Sequence, residues 1–134
     1  MTTTTWIIAA DSSRARILQV MDRDRRLAEV EDFVNPAGRM HDRDLVSDVR
    51  DALPQEASAV EHQTELFAKR VGDYLESART SHRFDRLCLM APPKFLGQLR
   101  NELGAEVRKL VKNELPKDLS WLDAGDIARR YYKA

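Results

Sequence analysis

Apolar and polar residues change their period several times along this chain, and each change predicts an element. The run Trp6-Ile7-Ile8-Ala9-Ala10 ends in the turn-rich Asp11-Ser12-Ser13-Arg14, and Ala15 to Val20 resumes with β-branched, alternating character, which predicts a hairpin. Asp22 to Arg26 makes a charged tip. From Leu27 to Phe33, Ala28 and Val30 alternate with Glu29 and Glu31, the pattern of a third strand wet on one face. These strands form an antiparallel meander. From Val34 to Gln55 no period holds, and Asn35-Pro36, Gly38 and Pro54 punctuate a charged loop too long for a routine connection.

Helical spacing then takes over. Ser58-Ala59-Val60-Glu61 has the Ser/Thr-x-x-Glu form of a capping box, so a helix is expected to start there. Val60, Phe67, Val71, Tyr74, Leu75 and Ala78 mark its apolar face through about Arg79, with Glu65 and Lys69 paired at i,i+4 on the wet face. The unbroken apolar run Leu87 to Ala91 reads as a strand covered on both faces and is expected to be the central one. Pro92-Pro93 ends it, since proline donates no ladder hydrogen bond, and Pro93 suits the first turn of a helix marked by Phe95, Leu96, Leu99 and Leu103 and stopped at Gly104. Val107, Leu110 and Val111 fit a helical turn, whereas Leu110 to Leu115 fits an edge strand ending at Pro116; the strand is favoured. Asp123 caps a last helix through Ile127, Ala128 and Tyr131. The expected fold is α/β: one domain over residues 1–134, with a mixed five-stranded sheet, an antiparallel N-terminal meander and helices on its faces. This element order is the ribonuclease H-like arrangement.

Composition narrows the classes of function. Lys+Arg 22 and Asp+Glu 22 cancel, which excludes a global basic field and confines any nucleic-acid contact to a local patch. The single Cys88 falls in the buried strand and is expected to be an inert core residue of a reducing compartment. The N-terminus lacks a cationic n-region, its apolar run is too short for a signal peptide, and no run approaches the ~20 residues a membrane span needs. The expectation is a cytoplasmic protein without a membrane span.

The candidate chemistry gathers near turns. Asp11, Ser13, Arg14 and Arg16 form a compact polar hairpin, read first as an Asx turn and alternatively as a guanidinium clamp for phosphate or carboxylate. Lys94 stands where a strand passes into a helix, the usual ligand edge of an open α/β sheet. His41 and Arg43 lie in the mixed-sign His41-Asp42-Arg43-Asp44 segment, read as a self-paired loop network with a ligand-binding or acid–base role for His41 as the alternative. His62, His82 and Cys88 support no nucleophilic arrangement. Asp11 and Asp85, the carboxylates expected near the sheet, fall at opposite strand ends, so a two-metal nuclease is rejected and neither metal nor cofactor is expected. Arg39, Arg43, Lys94, Arg100 and the tail Arg129-Arg130-Tyr131-Tyr132-Lys133 together offer a local basic surface with tyrosines for stacking on bases, although the tail reads first as cations complementing a helix dipole.

Taken jointly and in order, several segments resemble the bacterial host attachment protein family: Trp6 to Ile17, His41 to Asp48, Phe84 to Leu87, Ala91 to Gly97 and Glu114 to Leu119. The resemblance covers nearly the whole chain. It implies kinship with the middle domain of archaeal and eukaryotic peptide-chain release factors and of Pelota, hence a ribonuclease H-like fold, and a link to translation with the ribosome or RNA as partner. The chain departs from the pattern where Val49 to Pro54 replaces a Gly/Arg-rich stretch. The release factors' Gly-Gly-Gln motif is absent, since no two glycines are adjacent, so termination chemistry does not carry over. The resulting expectation is a non-enzymatic binding or regulatory protein with an indirect role in attachment. The alternative is a small-anion sensor or enzyme working at the strand edge near Lys94.

Overall fold

Alternating apolar residues that can be buried on two faces at once build the sheet, and a computed structural model shows how it is covered; it describes residues 3–21, 23–36 and 54–133. The strands are β1 (Thr5–Ala10), β2 (Arg14–Met21), β3 (Arg26–Val34), β4 (Arg86–Met90) and β5 (Val111–Leu115). The helices are α1 (Pro54–Thr80), α2 (Pro93–Glu102), α3 (Ala105–Leu110) and α4 (Ala124–Lys133). The spatial order is β3-β2-β1-β4-β5, antiparallel across β3-β2-β1 and parallel across β1-β4-β5. This is the mixed, ribonuclease H-like sheet expected from the element order.

Each face has its own core. Trp6, Ile8, Ala10, Ile17, Leu87 and Leu89 pack under α1 to α3 against Phe67, Val71, Leu75, Phe95, Leu99 and Val107. The alternate residues Ile7, Ala9, Leu18, Val20, Cys88 and Met90 pack on the other face against Leu119 and Ile127. Burying each large apolar side chain stabilises the fold by about 1.5–3 kcal/mol. Where α1 crosses α2, a Cβ on Gly72 would lie 2.6 Å from the Glu102 carbonyl oxygen, so glycine sets how closely these helices approach.

Several expectations are corrected. The middle strand is β1, and Leu87 to Met90 of the apolar run lie in β4, between β1 and β5. Both runs are buried on both faces, so apolarity cannot rank them. The long helix begins at Pro54, four residues before Ser58, because proline fits a first helical turn; the Ser58–Glu61 box therefore lies inside the helix. Lys69 pairs with Asp73 at 3.2 Å rather than with Glu65. Gly104 is the N-cap of α3, with φ −70°, and α2 stops at the extended Leu103. Both readings of the following stretch hold in succession, the six-residue α3 and then β5. Asp123 caps α4 as expected, accepting from the Asp126 N–H at 2.8 Å. Among the described residues no helix is long and apolar enough to cross a membrane.

Candidate functional site

Because β1, β4 and β5 run parallel, their carboxyl ends bring three turns to one edge of the sheet: 11–13, 91–94 and 116–120. The first is the expected Asx turn. Asp11 Oδ1 accepts from the Ser13 N–H at 2.8 Å, the Ser13 hydroxyl at 2.7 Å and the Arg14 N–H at 2.9 Å. Buried Asn35 closes the same turn, donating its backbone N–H to Ser13 O at 2.8 Å and its side-chain amide to Ser12 O at 2.9 Å.

A second Asx turn, missed from the sequence, faces the first. Asp118 Oδ1 accepts from the Ser120 N–H at 3.1 Å, and Ser120 Oγ lies 2.7 Å from Asp118 Oδ1 and 3.3 Å from Asp11 Oδ2. One hydroxyl proton thus serves two carboxylates. Burial pushes the Asp118 carboxyl above its ordinary value, opposed by the Ser120 hydrogen bonds and reinforced by the charge of Asp11. The expectation that Asp11 and Asp85 are the carboxylates near the sheet is corrected by Asp118, although Asp85 does sit at the opposite end, accepting from the Thr4 N–H at 2.8 Å. Among the described residues no three His, Cys, Asp or Glu side chains gather to hold a metal ion.

The arginines of the hairpin are engaged within the fold. Arg14 forms a two-pronged pair with Asp32, Nε to Oδ1 at 3.0 Å and Nη2 to Oδ2 at 2.6 Å, and this hydrogen-bonded partner raises the guanidinium pKa further. Arg16 is only 5% exposed. Its Nη1 donates to the Ser120 carbonyl at 3.0 Å and to the Leu122 carbonyl, and its Nη2 pairs with Glu29, while Nε is buried without a partner. Arg16 therefore fastens the approach to α4 onto β2.

The other candidates are dispersed. Lys94 is 79% exposed on the first turn of α2, with Glu61 of α1 at 3.9 Å, so its neighbour is not a member of the Asp11 turn. His41 and Arg43 lie outside the described residues. His62 and His82 are exposed. Cys88 is buried, and desolvation pushes its thiol up to about 11, which keeps it protonated and unreactive at neutral pH. The signal that could have found Asp118 and Ser120 is the Asp-x-Ser spacing, present at 11–13 and again at 118–120.

Comparison with known proteins agrees with this architecture. The sequence profile of a family described as "Protein required for attachment to host cells" matches residues 6–130. No curated protein matches the chain by sequence. Among solved structures, the archaeal translation termination factor aRF1 superposes with a TM-score of 0.56 at 13% identity, covering 97% of this chain and 38% of that one. The chain thus spans well under half of that factor, and the likeness is one of fold. The Ppx/GppA phosphatase of Aquifex aeolicus, in its type II variant, superposes with a TM-score of 0.47 at 13% identity over 85% of this chain and 36% of that one.

Proposed function

This chain belongs to the family of proteins required for attachment to host cells, and from that premise we propose that it is a non-enzymatic, cytoplasmic binding or regulatory protein that acts on attachment indirectly, through a contact with the ribosome or RNA. The observation that supports the non-enzymatic reading is the state of the carboxyl edge, where α/β proteins commonly place their ligands. Asp11, Arg14, Arg16, Asp118 and Ser120 there engage one another or the backbone and hold the turns shut. The fold shared with a termination factor supports the translational partner, at an identity that carries no chemistry across. A neutral chain can make such a contact only through a local patch.

Co-sedimentation with ribosomes over a salt series tests this reading. A ribosome-bound fraction that falls steeply as salt rises is expected, and no bound fraction even at the lowest salt would end it. The indirect role is tested separately by protease treatment of intact cells: the protein is expected to be spared until lysis. The alternative, a small-anion sensor or enzyme at the strand edge, needs Lys94 to converge with Arg14 or His41. Arg14 is held by Asp32 and Lys94 stands in solvent near Glu61, so the observations favour the first reading.

A further inference from the structure

The opposite end of the sheet is built differently. The turn at Arg23–Arg25 and the start of β3 face the last turns of α4 across an open cleft of about 1100 Å³. Arg25 and Arg26 line it from the turn, and Arg129, Arg130 and Lys133 from the helix. Among the described lining residues Asp126 is the one carboxylate. In a chain whose net charge is zero, this concentrates positive charge on both walls of a single groove.

The cations differ in what holds them. Arg26 is paired with Asp24 at 2.6 Å, and Arg129 with Asp126. Arg25 instead lies over the Tyr132 ring, 5.4 Å from its centroid, while Arg130 and Lys133 stand exposed along the helix. Tyr132 is 37% exposed and meets the Tyr131 ring edge-on, with centroids 5.0 Å apart.

We propose that this cleft is a binding site for single-stranded RNA, with Arg25, Arg130 and Lys133 contacting successive phosphates and the Tyr132 ring stacking on a base. The inference rests on the RNA-contacting reading above and gives it a place on the molecule. Cations facing each other across a groove suit a chain of evenly spaced phosphates, and an aromatic face among them suits an unpaired base, which a duplex would keep stacked away. An anionic membrane fits less well. A membrane-surface helix must offer its apolar face to lipid, and the apolar residues of α4, Ile127 with partly buried Ala124 and Tyr131, are packed on the sheet.

The test is fluorescence anisotropy of a labelled oligouridylate of about ten nucleotides over a salt series. The wild-type chain is expected to bind, with an affinity falling by a log–log slope of about 0.7 per phosphate contacted. The double variant R25E/R130E is expected to lose at least about tenfold at low salt and to show a shallower slope. A matched reversal elsewhere, K109E/K112E on α3 and β5, should change little. Tyr132→Ala should cost about 5- to 150-fold, the range for one stacked base, and Tyr132→Phe should restore it. Thermal melts of all four variants separate lost binding from lost folding.

Absence of wild-type binding, or equal losses in the two double reversals, overturns the assignment. Displacement by polyglutamate as readily as by RNA would make the cleft a site for acidic polypeptide, and equal affinity for duplex RNA would remove the role of the ring. The two readings fail distinguishably. Ribosome co-sedimentation that survives R25E/R130E removes the cleft but keeps the partner, whereas oligouridylate binding without co-sedimentation keeps the cleft and removes the ribosome.

Discussion

The two ends of the sheet use the same kinds of residue to opposite effect. At the carboxyl end, β2 and β3 pair so that Arg14 and Arg16 reach Asp32 and Glu29, and the Asp11 and Asp118 turns lock onto each other through Ser120. At the other end, β3 begins with Arg26 and Leu27 and contributes no carboxylate to the cleft wall; Arg26 and Arg129 pair with Asp24 and Asp126, while Arg25 lies over Tyr132 and Arg130 and Lys133 stand exposed. What separates a structural cluster from a recognition surface here is the supply of acceptors within reach, since the number of charges is similar.

That contrast can be broken by removing the internal partners at the closed end. Arg16→Ala should cost about 2–3 kcal/mol, because the two carbonyls and Glu29 lose a charged donor, and half-exposed Glu29 recovers part of its hydration. Urea denaturation checks the size, and a matching loss of helical signal from α4 would show that Arg16 anchors it. Asp11→Ala follows at about 1–2 kcal/mol, since the Ser13 and Arg14 donors lose their acceptor in a part-buried turn, while Asp11→Asn keeps one acceptor and should cost less.

Asp118 gives a smaller and pH-dependent effect. Its folded carboxyl titrates above the ordinary value, so the folded chain holds this proton more tightly than the unfolded one. Stability from this group therefore rises as pH falls from the folded value to the ordinary Asp range, and is lost as pH rises through the folded value. Asp118→Asn retains an acceptor for Ser120 and should gain on the wild type at neutral pH, with the gain vanishing on acidification. Unfolding midpoints at a series of pH values check it; a gain that grows toward acid would contradict it. The open end sharpens the contrast from the other side. Arg130→Glu should shift stability by no more than about 0.5 kcal/mol, as for an ordinary surface change, although it is expected to weaken RNA binding.

Much of the fold was legible because β1, β2, β3 and β4 carry period-two or continuous apolar runs and α1 carries a clear helical stripe. The six-residue α3 was not, being too short to show a period beside the strand that follows. In the site, the Asp11 turn was readable from its own residues, since an Asx turn closes within three positions. Its partner Ser120 lies 109 residues away, and only the parallel pairing of β4 with β5 delivers it. Arg16 read as a solvated turn residue, with an anion clamp as the alternative, yet it is in phase with Leu18 and Val20, which pack in the core on the α4 face, and that phase foretells burial. The basic tail and the charged tip of the β2–β3 hairpin were each visible in sequence, but not their meeting, because α4 reaches that turn only by packing across β3.

The central claim, that the chain works through the cleft while its carboxyl edge serves only the fold, is tested most directly by amide hydrogen exchange with and without bound oligouridylate. Slower exchange is expected in 23–30 and 124–133, with 11–16, 94–96 and 117–120 unchanged. Protection at 94–96 or 11–16 with the cleft segments unaltered would contradict it and return the function to the strand edge.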